Sequence, residues 1–317
     1  MTASDQAERR VLLISHTRRE EVRQLAEVFF RSLSDHGLRV RLPAADAADL
    51  PFLQSATGAE VTDSLDDAGQ GCELAIVLGG DGTILRAAEL TRTSATPLLG
   101  VNLGHVGFLA EAEPEDADRI IEAVVHRRYT SEDRLTLDVG VYVGDRLVTR
   151  TFALNEASVE KAARQRMLEV VVGVDGRPLS RWGCDGVVCA TPTGSTAYNF
   201  SAGGPVVWPS VEALLIVPIS AHALFARPMV VGPDSTLAVE VLDGSEVAGV
   251  LWCDGRRMVD LPPGARIEVR RGETPVRLVR LHQAPFTDRL VAKFGLPVQG
   301  WRGEAERRRR EAGEDDA

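Results

Sequence analysis

A short apolar run that leads directly into a glycine-rich corner constrains this chain more than any other feature. Leu74-Ala-Ile-Val-Leu78 is followed at once by Gly79-Gly-Asp-Gly-Thr83, and then by Ile84 to Leu90, which has a helical composition. The pattern predicts a buried strand, a tight corner and a helix. Glycines at such a corner let backbone N–H groups approach an anion. Asp81 lies in the middle of it, where a carboxylate is useful if it handles a proton or a metal. This combination predicts phosphoryl transfer.

Further strands and helices alternate around this corner over residues 1–128. The alternation predicts a Rossmann-like, doubly wound α/β domain with a parallel sheet. In such sheets ligands bind beyond the carboxyl ends of the strands, where the Gly79 corner would lie. The predicted elements are strands at Val11–Ile14, Leu38–Leu42 and Leu98–Val101, a helix over Val22–Leu33 that Gly37 closes, and a helix from Pro114 to Val125.

The pattern changes near Tyr129. Apolar residues then alternate with polar ones, and Asp-Gly or Gly-Asp pairs follow the runs, which is a hairpin signal. We therefore predict a β-rich domain over residues 129–282. Residues 283–302 return to a helical pattern that would pack back on the α/β domain, and residues 303–317 form a charge-dense tail typical of disorder. The predicted hairpin turns are Gly144-Asp145, Asp175-Gly176 and Asp243-Gly244.

Composition excludes several classes of function. The net charge of −10 argues against a nucleic-acid-binding protein. The four cysteines form no CxxC pair, which favours free thiols in a reducing compartment over a zinc site. Residues 1–10 lack a signal-peptide core, and no run is apolar and long enough to span a membrane. We therefore expect a cytoplasmic protein.

Two more loops have a binding character. In Gly100 to Leu109, Asn102 occupies the place of the middle glycine of a dinucleotide fingerprint, so hydride chemistry is not supported. For His105 in this loop, the favoured interpretation is a surface or core histidine, and a proton carrier is the alternative. Thr191 to Pro205 is rich in hydroxyl groups, which suit ribose and base edges, and Tyr198 offers a ring for stacking. The less favoured alternative is a bulged loop held by side-chain turns.

Taken together, these segments resemble the NAD kinases over nearly the whole chain. The Gly-Gly-Asp-Gly corner is shared with lipid kinases and phosphofructokinases, whereas the segment Thr191–Pro205 is specific. The matching segments are Gly79–Thr83, Asn102–Leu109, Asn155-Glu156, Asp185–Pro205, Val217–His222 and Ala226–Pro228.

The resemblance implies an enzyme that transfers a phosphoryl group from ATP, or in some members polyphosphate, to the adenosine ribose 2′-hydroxyl of NAD. It implies a site between the α/β domain and a β-sandwich domain, completed by neighbouring subunits of a homodimer or homotetramer. Asp81 matches the proton acceptor of the family. The residues that match NAD-binding positions are Asp81, Gly82, Arg86, Asn155, Glu156, Arg166, Asp185, Thr196, Ala197, Tyr198, Asn199, Phe200 and Ser201, with Arg86 and Arg166 the looser matches.

The donor phosphates are expected at Gly79, Gly80, Gly82 and Thr83, with Mg²⁺ bridging them. No protein side chain is predicted as a metal ligand. A Walker-type Gly-Lys-Ser/Thr sequence is absent, so arginines would have to hold the phosphates. Gly183 offers no side chain near the pocket, and members with a small residue there accept NADH, so we expect NADH turnover. The alternatives are a lipid or sugar kinase and a non-catalytic NAD sensor.

Overall fold

The computed structural model describes residues 8–65, 67–103, 107–110, 116–163, 166–245, 247–282 and 285–298. The predictions made for His105, for Pro114 and for the tail at 303–317 lie outside these residues. Among the described helices, none is long and apolar enough to cross a membrane.

A seven-stranded sheet forms the first domain, in the order β3-β2-β1-β4-β5-β19-β6. Strands β1 to β5 and β19 are parallel to their neighbours, and β6 is antiparallel to β19. The strands are β1 (Arg10–Ser15), β2 (Arg39–Pro43), β3 (Ala59–Thr62), β4 (Leu74–Leu78), β5 (Leu98–Val101), β6 (Thr130–Arg134) and β19 (Val276–Arg280).

Helices cover both faces of this sheet. Val11 and Leu13 of β1 pack with α1 and α4, whereas Leu12 and Ile14 pack with α3 on the opposite face. This alternation follows from the two-residue period of a strand, and it confirms the doubly wound prediction. The helices are α1 (Glu20–Asp35), α2 (Ala44–Ala47), α3 (Asp81–Leu90) and α4 (Ala117–Val125), with a short 3-10 helix at Pro51–Gln54.

The second domain is a β-sandwich of two antiparallel six-stranded sheets. Leu137 and Val139 of one sheet and Val159 and Val187 of the other lie in one buried core, together with Trp182. One sheet comprises β7 (Leu137–Val143), β8 (Arg146–Ala153), β10 (Leu168–Val174), β11 (Arg177–Cys184), β15 (Leu237–Val241) and β18 (Ala265–Arg271). The other comprises β9 (Glu156–Lys161), β12 (Gly186–Ala190), β13 (Leu214–Ile219), β14 (Met229–Val231), β16 (Gly249–Cys253) and β17 (Arg257–Leu261).

The structure differs from the sequence prediction at the edges of the β-rich segment and at one hairpin. Strands β6 and β19 fall within 129–282 but belong to the seven-stranded sheet of the first domain. The hairpin predicted at Asp243-Gly244 is wrong: β15 pairs with β10 and β18, and the chain then crosses to β16 in the other sheet. Local turn chemistry does not reveal which sheet the next strand joins. A hairpin instead turns at Asp254-Gly255 between β16 and β17.

Two helices complete the fold. Helix α5 (Tyr198–Ser201) follows a 3-10 helix at Thr193–Thr196, and α6 (Phe286–Phe294) ends at Gly295, whose φ is +58°. The ring of Phe108 in the first domain lies 5.9 Å from the ring of Phe286 and 5.8 Å from the ring of Phe294. Phe294 also lies 4.7 Å from Phe200, so α6 bridges both domains.

Candidate functional site

The glycine corner lies between β4 and α3, at the carboxyl edge of the parallel sheet. Gly79 has a φ of +155°, and a Cβ on it would lie 2.3 Å from Thr83 Oγ1, so only glycine fits. A Cβ on Gly80 or Gly82 would meet no atom within 4 Å. The packing of the protein therefore requires Gly79, whereas Gly80 and Gly82 leave space in front of the first N–H groups of α3.

Asp81 is the first residue of α3, one turn earlier than the predicted helix. Its Oδ2 accepts the N–H of Phe108 and its Oδ1 accepts the N–H of Leu109, both at 3.1 Å. A Cβ on Gly107 would lie 2.5 Å from Asp81 Oδ1, so the second glycine loop folds directly over this carboxylate. Each carboxylate oxygen has a further lone pair, and Asp81 can still accept a proton or a ligand hydrogen bond.

A cleft of about 530 Å³ opens at this corner. It brings together Gly79, Gly80, Asp81, Gly82, Thr83 and Arg86 from the prediction with Asn102 and Gly107 of the second loop. Its other lining residues are mostly basic, namely His16, Arg19, Arg256 and Lys293 along with Leu103. Arginines and a lysine around a glycine corner provide the positive charge that phosphate groups require.

Two of these arginines are also held by carboxylates. Arg86 pairs with buried Asp46, which in turn accepts the N–H of Ser15 at 2.9 Å. Arg256 Nε lies 2.9 Å from Oε1 of Glu89 on α3. Their guanidinium groups are therefore fixed at the cleft before any ligand arrives, which lowers the entropic cost of binding.

The Asn155-Glu156 motif is fixed by Asp254, a residue that the sequence analysis missed. Asp254 Oδ1 accepts the N–H of Asn155 at 2.7 Å and that of Leu154 at 3.0 Å. Asp254 has a φ of +54° in the turn of the β16–β17 hairpin. An Asp-Gly pair between two strand-like runs was the available signal, because that pair favours two-residue hairpin turns.

Glu156 has an unusual protonation equilibrium. Burial first, and then the nearby Asp254, raise the pKa of its carboxyl to about 8, while a hydrogen bond from Tyr198 N–H opposes the shift. That N–H lies 3.3 Å from Glu156 Oε2. Burial also raises the pKa of Asp254, against its bonds from Leu154 N–H and Arg257. At neutral pH the Glu156 carboxyl is mainly protonated, so it can donate a hydrogen bond as well as accept one.

An ion-pair chain joins this motif to the helix of Asp81. Arg257 Nη2 lies 2.8 Å from Asp254 Oδ2, and Arg257 Nη1 lies 2.8 Å from Glu89 Oε1. Glu89 belongs to α3, whose first residue is Asp81. These ion pairs therefore link α3 of the first domain to the β16–β17 turn of the second domain.

The hydroxyl-rich segment packs directly against Asn155. Thr191 Oγ1 donates to Leu154 O at 2.6 Å and accepts Gly194 N–H at 3.0 Å. A Cβ on Gly194 would lie 2.0 Å from Asn155 O, so the two motifs are in contact. The structure thus brings together two predicted motifs that are separate in the sequence.

The predicted residues of this segment differ in accessibility. Tyr198 and Phe200 are 36% and 43% exposed, Ser201 is exposed, and Thr196 and Ala197 are partly buried. Asn199 is completely buried, and its Nδ2 donates to Ser195 O and Pro205 O at 3.0 and 3.1 Å. Its side chain therefore holds the loop together instead of reaching the surface.

The two remaining predicted polar residues are Asp185, which is partly buried, and Arg166, which is exposed. Asp185 Oδ1 lies 2.5 Å from Lys161 Nζ, and this pairing lowers the pKa of the carboxyl. Arg166 is exposed and has a partner within the chain. Neither residue lines the cleft at Asp81. Within the described residues, no group of three or more His, Cys, Asp or Glu side chains is arranged to hold a metal ion.

Comparison with known proteins agrees with this geometry. The ATP-NAD kinase N-terminal domain model matches residues 11–129, and the ATP-NAD kinase C-terminal domain model matches residues 154–281. The chain is 59% identical to an NAD kinase of Thermobifida fusca over 315 residues, which covers 96% of this chain and 95% of that protein. It is also 59% identical to NAD kinase 2 of Streptomyces coelicolor, with 93% and 97% coverage.

Solved structures show the same architecture. A yeast NADH kinase complexed with NADH superposes with a TM-score of 0.83 at 24% identity, over 93% of this chain and 90% of that one. An NAD kinase from Archaeoglobus fulgidus in complex with ATP superposes with a TM-score of 0.65 at 27% identity, over 90% and 98%. On the family models and the close relatives together, this chain belongs to the NAD kinase family.

Proposed function

We propose that Asp81 accepts the proton of the adenosine ribose 2′-hydroxyl when this NAD kinase transfers a phosphoryl group from ATP to NAD. The observation that carries the proposal is the position of its carboxylate. It lies at the first turn of α3, lines the open cleft and is oriented by the N–H groups of Phe108 and Leu109.

In this mechanism the 2′-oxygen forms a bond to the transferred phosphorus while the bond to the leaving ADP oxygen breaks. The proton of the hydroxyl passes to Asp81. A positioned general base contributes about a hundredfold to ten-thousandfold in rate. The remaining acceleration comes from alignment and from neutralising phosphate charge, because the transition state of phosphoryl transfer is loose.

The acceptor NAD is proposed to lie along the second domain. Glu156, mainly protonated at neutral pH, can donate to one ribose oxygen and accept from another hydroxyl. Tyr198 offers an exposed ring for a base. Asn199 acts on this site by holding the loop. The other proposed contacts are Gly82, Arg86, Asn155, Arg166, Asp185, Thr196, Ala197, Phe200 and Ser201.

The donor phosphates are proposed to lie over Gly80 and Gly82, where the structure has free space next to backbone N–H groups. Gly79 and Thr83 shape that corner, and Arg19, Arg256 and Lys293 line the same cleft. A Mg²⁺ ion bound together with the donor phosphates would neutralise part of their charge. Polyphosphate is a chain of the same phosphate groups, so it would bind the same basic side chains of the cleft.

We further propose a cytoplasmic homodimer or homotetramer. Leu224, Phe225 and Val230 are exposed apolar residues in and before β14, at the edge of a sheet, which is typical of a subunit interface. Cys184, Cys189 and Cys253 are buried free thiols, which suits a reducing compartment.

The test is to compare wild type with Asp81→Asn. Purified protein is incubated with NAD, ATP and Mg²⁺, and NADP is measured with an NADP-specific dehydrogenase. We expect the variant to bind NAD as well as wild type and to turn over at least about a hundredfold more slowly. Turnover within threefold of wild type would remove the assignment of the base. If the wild-type protein binds NAD but forms no NADP, the result would favour the alternative of a non-catalytic NAD sensor.

A further inference from the structure

Helix α6 lies outside both segments that match the family models, yet one of its faces contacts the cleft. Phe286, Arg289, Lys293 and Phe294 have helical spacing that places them on one side of α6. Lys293 lines the cleft at Asp81, and the rings of Phe286 and Phe294 pack against Phe108.

Arg289, on this face, forms hydrogen bonds to the first domain. Its Nη1 donates to Phe108 O at 3.1 Å and to Ala110 O at 3.3 Å. From β19, Arg280 Nη1 donates to Leu109 O at 3.3 Å. The backbone carbonyls of all three residues of segment 108–110 are therefore bonded to guanidinium groups. A charged donor makes a stronger hydrogen bond than a neutral one.

The other side of the same segment faces the catalytic carboxylate. Within the described part of the chain, both hydrogen bonds that Asp81 accepts come from Phe108 N–H and Leu109 N–H. A shift of segment 108–110 must therefore change the orientation of Asp81. A displacement of about 1 Å at a reacting group can cost about a hundredfold in rate.

We propose that Arg289 is a positioning residue for phosphoryl transfer. It anchors segment 108–110 through the carbonyls of Phe108 and Ala110, so that the N–H groups of Phe108 and Leu109 hold the Asp81 carboxylate towards the ribose hydroxyl. This inference rests on the proposed role of Asp81 as the base.

A double-mutant cycle separates this role from a merely structural one. Arg289→Ala is introduced into wild type and into Asp81→Asn, and kcat and the KM for ATP are measured with a sensitive NADP cycling assay. In the wild-type background we expect kcat to fall about ten- to a hundredfold, with the KM for ATP within threefold. In the Asp81→Asn background we expect a change below twofold, because the carboxylate through which Arg289 acts is already gone.

Three additional measurements sharpen the test. Arg289→Lys should restore part of kcat, since an ammonium group can still donate to one of the two carbonyls. Thr287→Ala, an exposed position on α6, is the matched control and should leave kcat within twofold. Amide hydrogen exchange of a peptide spanning Phe108 and Leu109 should become at least about tenfold faster in Arg289→Ala, because their anchor is lost.

The outcomes are distinguishable. An equal loss of kcat in both backgrounds, a kcat of Arg289→Ala within threefold of wild type, or unchanged exchange at Phe108 and Leu109 would each overturn the positioning role while the base assignment stands. A kcat of Asp81→Asn within threefold of wild type would overturn the base assignment, and with it any effect that Arg289 exerts through Asp81.

Discussion

Asp254 Oδ1 accepts the backbone N–H of Asn155 at 2.7 Å, across a separation of 99 residues in the chain. The same side chain is ion-paired with Arg257, which reaches Glu89 on the helix of Asp81. A single buried carboxylate in a hairpin turn therefore fixes the Asn155-Glu156 motif of the second domain relative to α3 of the first, the helix that begins at Asp81.

Asp254→Ala should weaken both stability and NAD binding. The substitution removes the carboxylate that accepts the N–H groups of Leu154 and Asn155, while Arg257 keeps its ion pair with Glu89. Leaving these buried donors without an acceptor costs about 1–3 kcal/mol in the free energy of unfolding. We expect the KM for NAD to rise about tenfold, because Asn155 and Glu156 lose their shared anchor. Urea unfolding and steady-state kinetics measure the two effects. Asp260→Ala, at an exposed position of β17, is the control. An unchanged KM with normal stability would show that Asp254 does not fix the motif.

The glycines of the corner should respond differently to alanine. Gly79→Ala should lower the free energy of unfolding by about 1–3 kcal/mol, because the left-handed φ and the Thr83 contact at 2.3 Å both exclude a Cβ. Gly82→Ala should keep or slightly raise stability, since alanine is favoured within a helix. The Cβ added at position 82 would occupy the space proposed for the donor phosphates, so the KM for ATP should rise at least about tenfold. If Gly82→Ala binds ATP as well as wild type, the donor phosphates lie elsewhere.

The raised pKa of Glu156 predicts a pH-dependent stability. Between the ordinary carboxyl pKa of 4.5 and the folded-state pKa of about 8, the folded protein holds a proton that the unfolded chain releases. The contribution of this group to the free energy of unfolding is fully present below about pH 4.5. It is lost as the pH rises to about 8, by up to about 1.4 kcal/mol per pH unit.

Glu156→Gln carries no such proton. We compare the free energy of unfolding of this variant with that of wild type. As the pH rises from about 5 to about 8, the difference should shift in favour of the variant by at least about 2 kcal/mol. Chemical denaturation of both proteins across that range measures the difference. A difference that stays constant with pH would mean that Glu156 titrates normally.

Tyr198 is expected to stack on a base of NAD. Tyr198→Ala should raise the KM for NAD about tenfold, which is the scale of one base stack, and leave the KM for ATP within threefold. Tyr198→Phe keeps the ring and should behave like wild type. An unchanged KM for NAD in the alanine variant would count against stacking.

NADH should be phosphorylated as well as NAD. Gly183 on β11 has no side chain, and a Cβ there would meet its nearest neighbour, Met167 Cε, at 3.8 Å. The position therefore offers no group that distinguishes the charged nicotinamide ring from the reduced one. Incubation with NADH, ATP and Mg²⁺, followed by detection of NADPH, tests this expectation. A complete lack of NADPH would refute it.

Short-range patterns in the sequence determined much of this fold. β4 and β5 begin and end at their predicted residues, and Gly37 closes the predicted helix with a φ of +79°. These features depend on side-chain periodicity and on the conformational freedom of glycine, both of which act within a few residues. The glycine corner and the hydroxyl-rich segment could be recognised from the sequence for the same reason.

Only the tertiary structure decided which distant groups meet. It placed β6 and β19 in the sheet of the first domain, sent the chain after Asp243-Gly244 to the other sheet, and buried Asn199 inside its own loop. It also joined Arg289 to Phe108 across 181 residues, and Asp254 to Asn155. Such contacts depend on strand order and on the packing of whole elements against each other, and the residues near each partner in the sequence carry no trace of them.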